Sequence, residues 1–377
     1  MAVTRVGLVG LISKKPEGLG PHAWAAFALL PVFLHSPDYE LVALCNSSLE
    51  SARRAIEAYE LPSSVKAYGN PEDLAKDPDV DLVVISVGVG KHFQIAKPAL
   101  LEGKKVFVEW PLGASTEEAE ILTTLAREKN IKTIVGVQAR ADPLILKVRE
   151  IVQSGKLGKI TSSNVLGSTS GLPSHFWFNG MDYYLDIKSG GNLYHIYFGH
   201  FLDSFTYVLG DFETLQSDLK TEITEIPVMK DDGTLTEPLK KNTPDHVLVQ
   251  GRLKSGAMAS IAYRWCYLQE AVGDVGIRWI VSGTEGELEL TTDQGSWQMN
   301  FPNRKLKLRL RGKPEEDVDF SVANAGFVQN MEYFGQNSGR ILDAFANGDQ
   351  TVYADFSSAT QTHKLLDEIL KKSAHEL

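Results

Sequence analysis

The chain has 377 residues, with 43% hydrophobic and 23% charged side chains, which suits a soluble protein long enough for two domains with their own cores. A formal charge of -10 and the lack of any basic block argue against a nucleic-acid surface. No apolar run approaches the ~20 residues of a membrane span. The start runs directly into a strand, so no leader is expected, and the two cysteines, Cys45 and Cys266, are too far apart for a disulfide framework or metal cluster. A cytoplasmic or nuclear location is expected.

The first third alternates strands and helices. Arg5 to Leu11 reads as a strand, His22 to Leu34 as an apolar helix, Tyr39 to Cys45 and Leu49 to Tyr59 as the next pair. A short strand at Lys66 to Tyr68 and a helix at Pro71 to Lys76 follow, then Asp81 to Val87 and His92 to Leu101, Lys105 to Leu112 as a strand with its ligand-facing turn, Thr116 to Lys129, and Lys132 to Val137. Near-continuous apolar strands between helices predict a parallel sheet covered on both faces. Six strands in this rhythm predict a Rossmann-type, doubly wound dinucleotide domain over 1–137. After Ser162 the apolar residues alternate, as in His246 to Gln250 and Met258 to Tyr263, which predicts an α+β domain over 138–377 with an open mixed, mainly antiparallel sheet. Pro227 to Asn242 reads as a loop or hairpin at one edge, and Tyr333 to Leu370 as helix broken at Gly348.

Dinucleotide-binding candidates lie at the carboxyl ends of the strands, where open α/β sheets bind ligands. Gly10 closes the first strand, followed by Leu11, by Ile12 where a second glycine would fall, and by Ser13. Gly18 and Gly20 come only after an insertion that carries Lys14 and Lys15. Gly10 either makes only a tight turn or opens a lengthened phosphate loop before a helix. The second strand ends Asn46-Ser47-Ser48, without the acid that would hold a ribose 2′-hydroxyl and repel a 2′-phosphate. With Arg53 and Arg54 on the next helix, this favours NADP over NAD, although Ser48 serves equally well as a helix cap. Val87, Gly88 and His92 follow the fourth strand, and Glu109, Trp110 and Pro111 follow the fifth, where a cis proline would suit the turn.

The ordered set Gly7-x-x-Gly10, Glu109-x-Pro111, Val135 to Arg140, Gly155 to Ile160, Gly190-Gly191, Gly199 to Asp203 and Gly283 to Gly286 resembles the Gfo/Idh/MocA oxidoreductases along essentially the whole chain. The loop without a second glycine, Glu109-Trp110-Pro111, Phe198-Gly199-His200 and Pro244-Asp245-His246 are most similar to a fungal branch that includes the galactose-pathway repressor of budding yeasts. The resemblance implies a bound dinucleotide, Gln138 beside it, and a homodimer through the second domain's sheet. It also implies a Lys over the reacting carbon, where this chain has Trp110, whose indole cannot take up a proton. His200 matches a family His that serves proton transfer, and His195 or Ile196 falls at the Asp that accompanies it. The aromatic stretch from Trp177 to Asp203 is the candidate substrate wall, with His195 and Tyr184 beside His200 for proton transfer. Tyr183, Asp186, Asp203, Arg140 and Trp110 are candidates for substrate contact. Two functions follow: an NADP-dependent oxidoreductase acting on a small sugar, polyol or carbonyl compound, or a dinucleotide-bound regulator that acts on a protein partner. No metal site is expected.

Overall fold

The computed structural model describes residues 3–17, 23–169, 172–265, 275–293, 295–322 and 326–373. Gly18, Gly20, His22 and Cys266 lie outside the described residues. Residues 1–141 and 324–363 form one compact unit, and residues 142–323 and 364–377 form a second.

In the first unit the strands are β1 (Thr4–Val9), β2 (Tyr39–Cys45), β3 (Lys66–Tyr68), β4 (Leu82–Ile85), β5 (Lys105–Glu109) and β6 (Thr133–Gly136). They form one six-stranded sheet in the order β3-β2-β1-β4-β5-β6, and every pairing is parallel. That is the doubly wound order, with its switch point between β1 and β4. All four residues of β4 and of β6 are buried, as a sheet covered on both faces requires. The helices between strands are α1 (Leu30–His35), α2 (Leu49–Ala58), α3 (Pro71–Lys76), α4 (His92–Leu101) and α5 (Thr116–Glu128). Ser48, Asn70 and Ser115 cap α2, α3 and α5 by accepting backbone N–H groups. A π-helical turn, Ala25–Leu29, leads into α1.

The expected boundary at 137/138 left the last part of the chain in the second domain, whereas residues 324–363 return to the first unit. The reason is burial and hydrogen bonding. Val328, Ile341, Leu342 and Phe345 join the core built on Val6, Leu8, Leu44 and Val84. The Tyr39 hydroxyl donates to Leu342 O at 2.7 Å, and Val135 N donates to Ala354 O at 2.8 Å. Periodicity identifies such a helix but not the sheet on which its apolar face is buried.

The second unit begins with α6 (Pro143–Gln153), whose cap Asp142 accepts from Leu144 N and pairs with Arg304 at 2.6 Å. Next come β7 (Ile160–Thr169), β8 (Trp177–Phe178), α7 (Gly199–Leu209) and β9 (Phe212–Lys220). The edge segment carries the short strands β10 (Glu225–Ile226), β11 (Val228–Met229) and β12 (Leu239–Lys240). The long strands β13 (His246–Leu253), β14 (Met258–Trp265), β15 (Ile277–Gly283), β16 (Gly286–Thr292) and β17 (Arg304–Leu310) follow, with β18 (Glu315–Asp317) at the edge. Eight of these strands form one mixed sheet, β18-β17-β16-β15-β7-β14-β13-β9, in which only β7 and β14 run parallel. One face packs under α7 through Phe201 and Phe205 against Trp279. The other leaves Leu166, Leu248 and Met258 exposed. The chain closes through α8 (Gly326–Gln329), α9 (Tyr333–Asn347) and α10 (Phe356–Lys371), with Gly348 left-handed between the last two.

Candidate functional site

The carboxyl edge of the Rossmann sheet holds the first set of candidates. Gly10 has φ +102°, and a Cβ there would lie 2.2 Å from Ser86 O and 2.5 Å from the Val87 side chain. Gly10 therefore serves both a left-handed turn and a close approach of the ends of β1 and β4. The next residue, Leu11, is buried, and its carbonyl accepts from Asn46 Nδ2 at 2.8 Å. Asn46 also reaches Ser51, so its amide ties the first loop to the start of α2. Ser48 Oγ accepts from Ser51 N at 3.1 Å, which makes it the cap of α2. Ser47 and Arg53 are exposed, Ser13 is half-buried, and Arg54 pairs with Glu50. Gly88 is exposed, with open space where a Cβ would go.

His92 opens α4 and is fully buried, its two ring nitrogens 2.8 Å from Pro111 O and 3.0 Å from Val87 O. It thus fastens the turn after β4 to the turn after β5. Burial pushes its pKa down, against the pull of the two carbonyls. The Trp110-Pro111 peptide bond is cis. Trp110 is buried, with its ring tilted against His363, centroids 4.8 Å apart.

Glu109 ends β5 with a buried carboxyl. Oε1 accepts from Trp24 Nε1 at 2.8 Å and Oε2 from Gln138 Nε2 at 2.9 Å. Desolvation pushes its pKa up to about 7, opposed by those two donors and the Trp110 backbone N–H. A Cβ at Gly136 would fall 2.1 Å from Glu109 Oε2, so glycine at the end of β6 makes room for the pair. Arg140 is half-buried on the same 3-10 turn as Gln138, Gln138–Ala141.

In the second unit, His195 lies in a π-helical turn, Tyr194–Phe198, and His200 and Asp203 in the helix α7 that continues it. All three are buried. π turns widen a helix by one residue and recur at functional sites. His195 Nδ1 and its backbone N both face Asn192 Oδ1, at 3.0 and 3.1 Å. Burial pushes the pKa of His195 down to about 4 and that of His200 to about 3, so both imidazoles are neutral at neutral pH. Tyr183 and Tyr184 sit on a 3-10 turn, their rings 5.0 Å apart, with Tyr184 against Trp177. Burial raises both phenols. Asp186 is exposed and accepts from Lys188 N, capping a further turn. Trp177, Tyr184 and Trp265 belong to one apolar cluster, so this stretch supplies a small core.

Trp24, His363 and Lys241 escaped the sequence reading. Trp24 is 85 residues from the carboxylate it binds. His363 meets Trp110 from α10. Lys241 and Asp245 form a fully buried ion pair at 2.5 Å. Among the described residues no cluster of His, Cys, Asp and Glu could hold a metal ion.

Comparison with known proteins decides the family. Residues 18–137 match the Gfo/Idh/MocA model, described as an oxidoreductase family with an NAD-binding Rossmann fold, and residues 143–292 match the Gal80p C-terminal domain. The chain is 34% identical over 375 residues to dehydrogenase aclE of Aspergillus oryzae, covering 98% of this chain and 96% of that protein. The chain belongs to the Gfo/Idh/MocA oxidoreductase family. As a Gfo/Idh/MocA protein with a Gal80-like second half, it is also 30% identical over 303 residues to the galactose/lactose metabolism regulatory protein GAL80 of Kluyveromyces lactis. That match covers 77% of this chain and 64% of the regulator. The crystal structure of a super-repressor mutant of Gal80p from Saccharomyces cerevisiae shares the fold, with a TM-score of 0.84 at 24% identity over 98% of this chain and 96% of that one. Rossmann unit, mixed sheet and family agree with the sequence expectations. No helix among the described residues is long and apolar enough to cross a membrane.

Proposed function

We propose that this protein is an NADP(H)-dependent oxidoreductase acting on a small sugar, polyol or carbonyl compound. The observation that carries the reading is the carboxyl edge of the six-stranded sheet, where Gly10 lets β1 and β4 approach and His92 fastens the neighbouring turns. The full-length likeness to a dehydrogenase supports it. Preference for NADP rests on the acid-free Asn46-Ser47-Ser48 end of β2 and on exposed Arg53. The dinucleotide would be held by the Gly10 to Ser13 loop, the ends of β2 and β4, and the Glu109 to Gln138 region, and would supply or take the hydride. His200 is the proposed proton-transfer group, with His195 and Tyr184 beside it. Trp110, Arg140, Tyr183, Asp186 and Asp203 are proposed to contact substrate.

Trp110 favours a second reading. Where the resemblance implies a Lys, this chain has a buried indole that cannot carry a proton, as a protein that binds the dinucleotide and regulates a partner without turnover would tolerate. The test follows absorbance of NADPH and NADH, and of their oxidised forms, with a panel of sugars, polyols and aldehydes. Turnover that falls about 100-fold or more in His200→Ala supports the enzyme. Tight NADPH binding without oxidation of any partner supports the regulator. Gain of turnover in Trp110→Lys would mean that the remaining site is competent.

A further inference from the structure

Glu109 and Gln138 have a feature that neither reading uses. Gln138 is wholly buried and gives its amide N–H to Glu109 Oε2, and its own Oε1 is buried without a hydrogen-bond partner. An amide oxygen in that state is expensive to leave unmet. The two ends of a glutamine amide are nearly isosteric, so a half-turn about its last torsion exchanges them without repacking.

Two arrangements of the pair follow from donor and acceptor counting. With Glu109 ionised, Gln138 Nε2 donates to the carboxylate and Oε1 is presented to whatever lies on the far side. With Glu109 protonated, its O–H donates to Gln138 Oε1, and the amide N–H is presented instead. Trp24 Nε1 remains a donor to the other carboxyl oxygen in both. Gly136 leaves no side chain to wedge the pair in one arrangement. We propose that Glu109 and Gln138 form a one-proton switch that sets the polarity of ligand recognition: an acceptor for hydroxyl or amide N–H groups when Glu109 is ionised, a donor for carbonyl oxygens when it is protonated. That polarity would separate an alcohol from the carbonyl compound it becomes on oxidation, so the inference rests on the oxidoreductase reading for its biological use, though not for its chemistry.

Nothing charged is among the causes that shift Glu109; burial works against the donors from Trp24, Gln138 and the Trp110 backbone. The titratable and charged groups on neighbouring elements include His92, which holds Pro111 O, His363 against Trp110, Arg140 on the Gln138 turn, and Arg340 and Asp343 on α9, which packs against that turn. The burial of His92 keeps its charge low.

Infrared difference spectra of the intact, ligand-free protein test the switch. As pH rises through about 7, the band of a buried protonated carboxyl is expected to vanish together with a shift of a side-chain amide band. Glu109→Gln removes both changes. Trp24→Phe takes away one donor to the carboxylate and moves the midpoint up, which keeps the test open if Glu109→Gln fails to fold. A carboxyl band that ignores pH, or a midpoint unmoved in Trp24→Phe, overturns the proposal. Calorimetry of NADPH and NADH in buffers of different ionisation enthalpy reads the polarity. Binding that engages Gln138 Oε1 by a carboxamide N–H is expected to release protons near pH 7, and not in Glu109→Gln. Binding without proton release would overturn the recognition role. Absence of any dinucleotide binding would instead count against the function proposed above, with the infrared result still deciding the switch.

Discussion

Glu109 is the residue whose environment differs most from what its type prefers. Raising a carboxyl from 4.5 to about 7 costs the ionised folded state about 3 kcal/mol. The sign follows from proton binding: the folded protein holds a proton at this position that the unfolded chain has already lost. Stability from this group is therefore full below about 4.5 and declines as pH rises to about 7, then stays flat. Thermal melts should show Glu109→Gln gaining on the wild type over that window; equal dependence on pH in both would contradict the burial argument. His195 and His200 act oppositely. Their folded pKa values of about 4 and about 3 lie below 6.5, so their contribution is complete above 6.5 and is lost as pH falls. Gly10→Ala puts a methyl group 2.2 Å from Ser86 O at a positive φ, and both effects oppose it. The variant should lose dinucleotide binding in equilibrium titrations and melt at a lower temperature than the wild type.

The strands and helices of the Rossmann sheet were legible because each carries its own signal. Four apolar residues in β4, a serine before α2 and a proline after Asn70 need no distant partner to be read. Contacts between distant segments were not legible, since nothing local records them. Trp24 on Glu109 and Phe345 in the first core are examples. The edge segment of the second unit shows the same limit. Lys241 looks like an ordinary surface charge in a polar loop, yet it and Asp245 are both buried. Lys241 Nζ also donates to Thr243 O and lies over the Trp265 ring, and Asp245 Oδ2 accepts from Glu222 N and Ile223 N, each at 2.7 Å. Removing one partner strands the other charge, so Asp245→Ala should cost about 3–5 kcal/mol in denaturant unfolding. The double change Lys241→Met with Asp245→Leu should cost less than Asp245→Ala alone. If the single change cost no more than an exposed ion pair, the pair would not be buried as described.

The open face of the eight-stranded sheet bears on assembly. Leu166, Leu248 and Met258 are 60%, 49% and 55% exposed, an apolar set on adjacent strands β7, β14 and β13. Such a set on one sheet face is suited to a protein interface, and homodimerisation through it is our proposal. Leu166→Arg with Leu248→Arg should convert a dimer to a monomer in light scattering while leaving the melting of the Rossmann unit unchanged. A wild type already monomeric at high concentration would contradict it. Everything functional rests on the first unit accepting a dinucleotide. Equilibrium titration of the purified protein with NADPH and with NADH tests that most directly. Saturable binding of both, tighter for NADPH and weakened by Arg53→Ala, is the predicted result; no binding of either nucleotide would contradict the account.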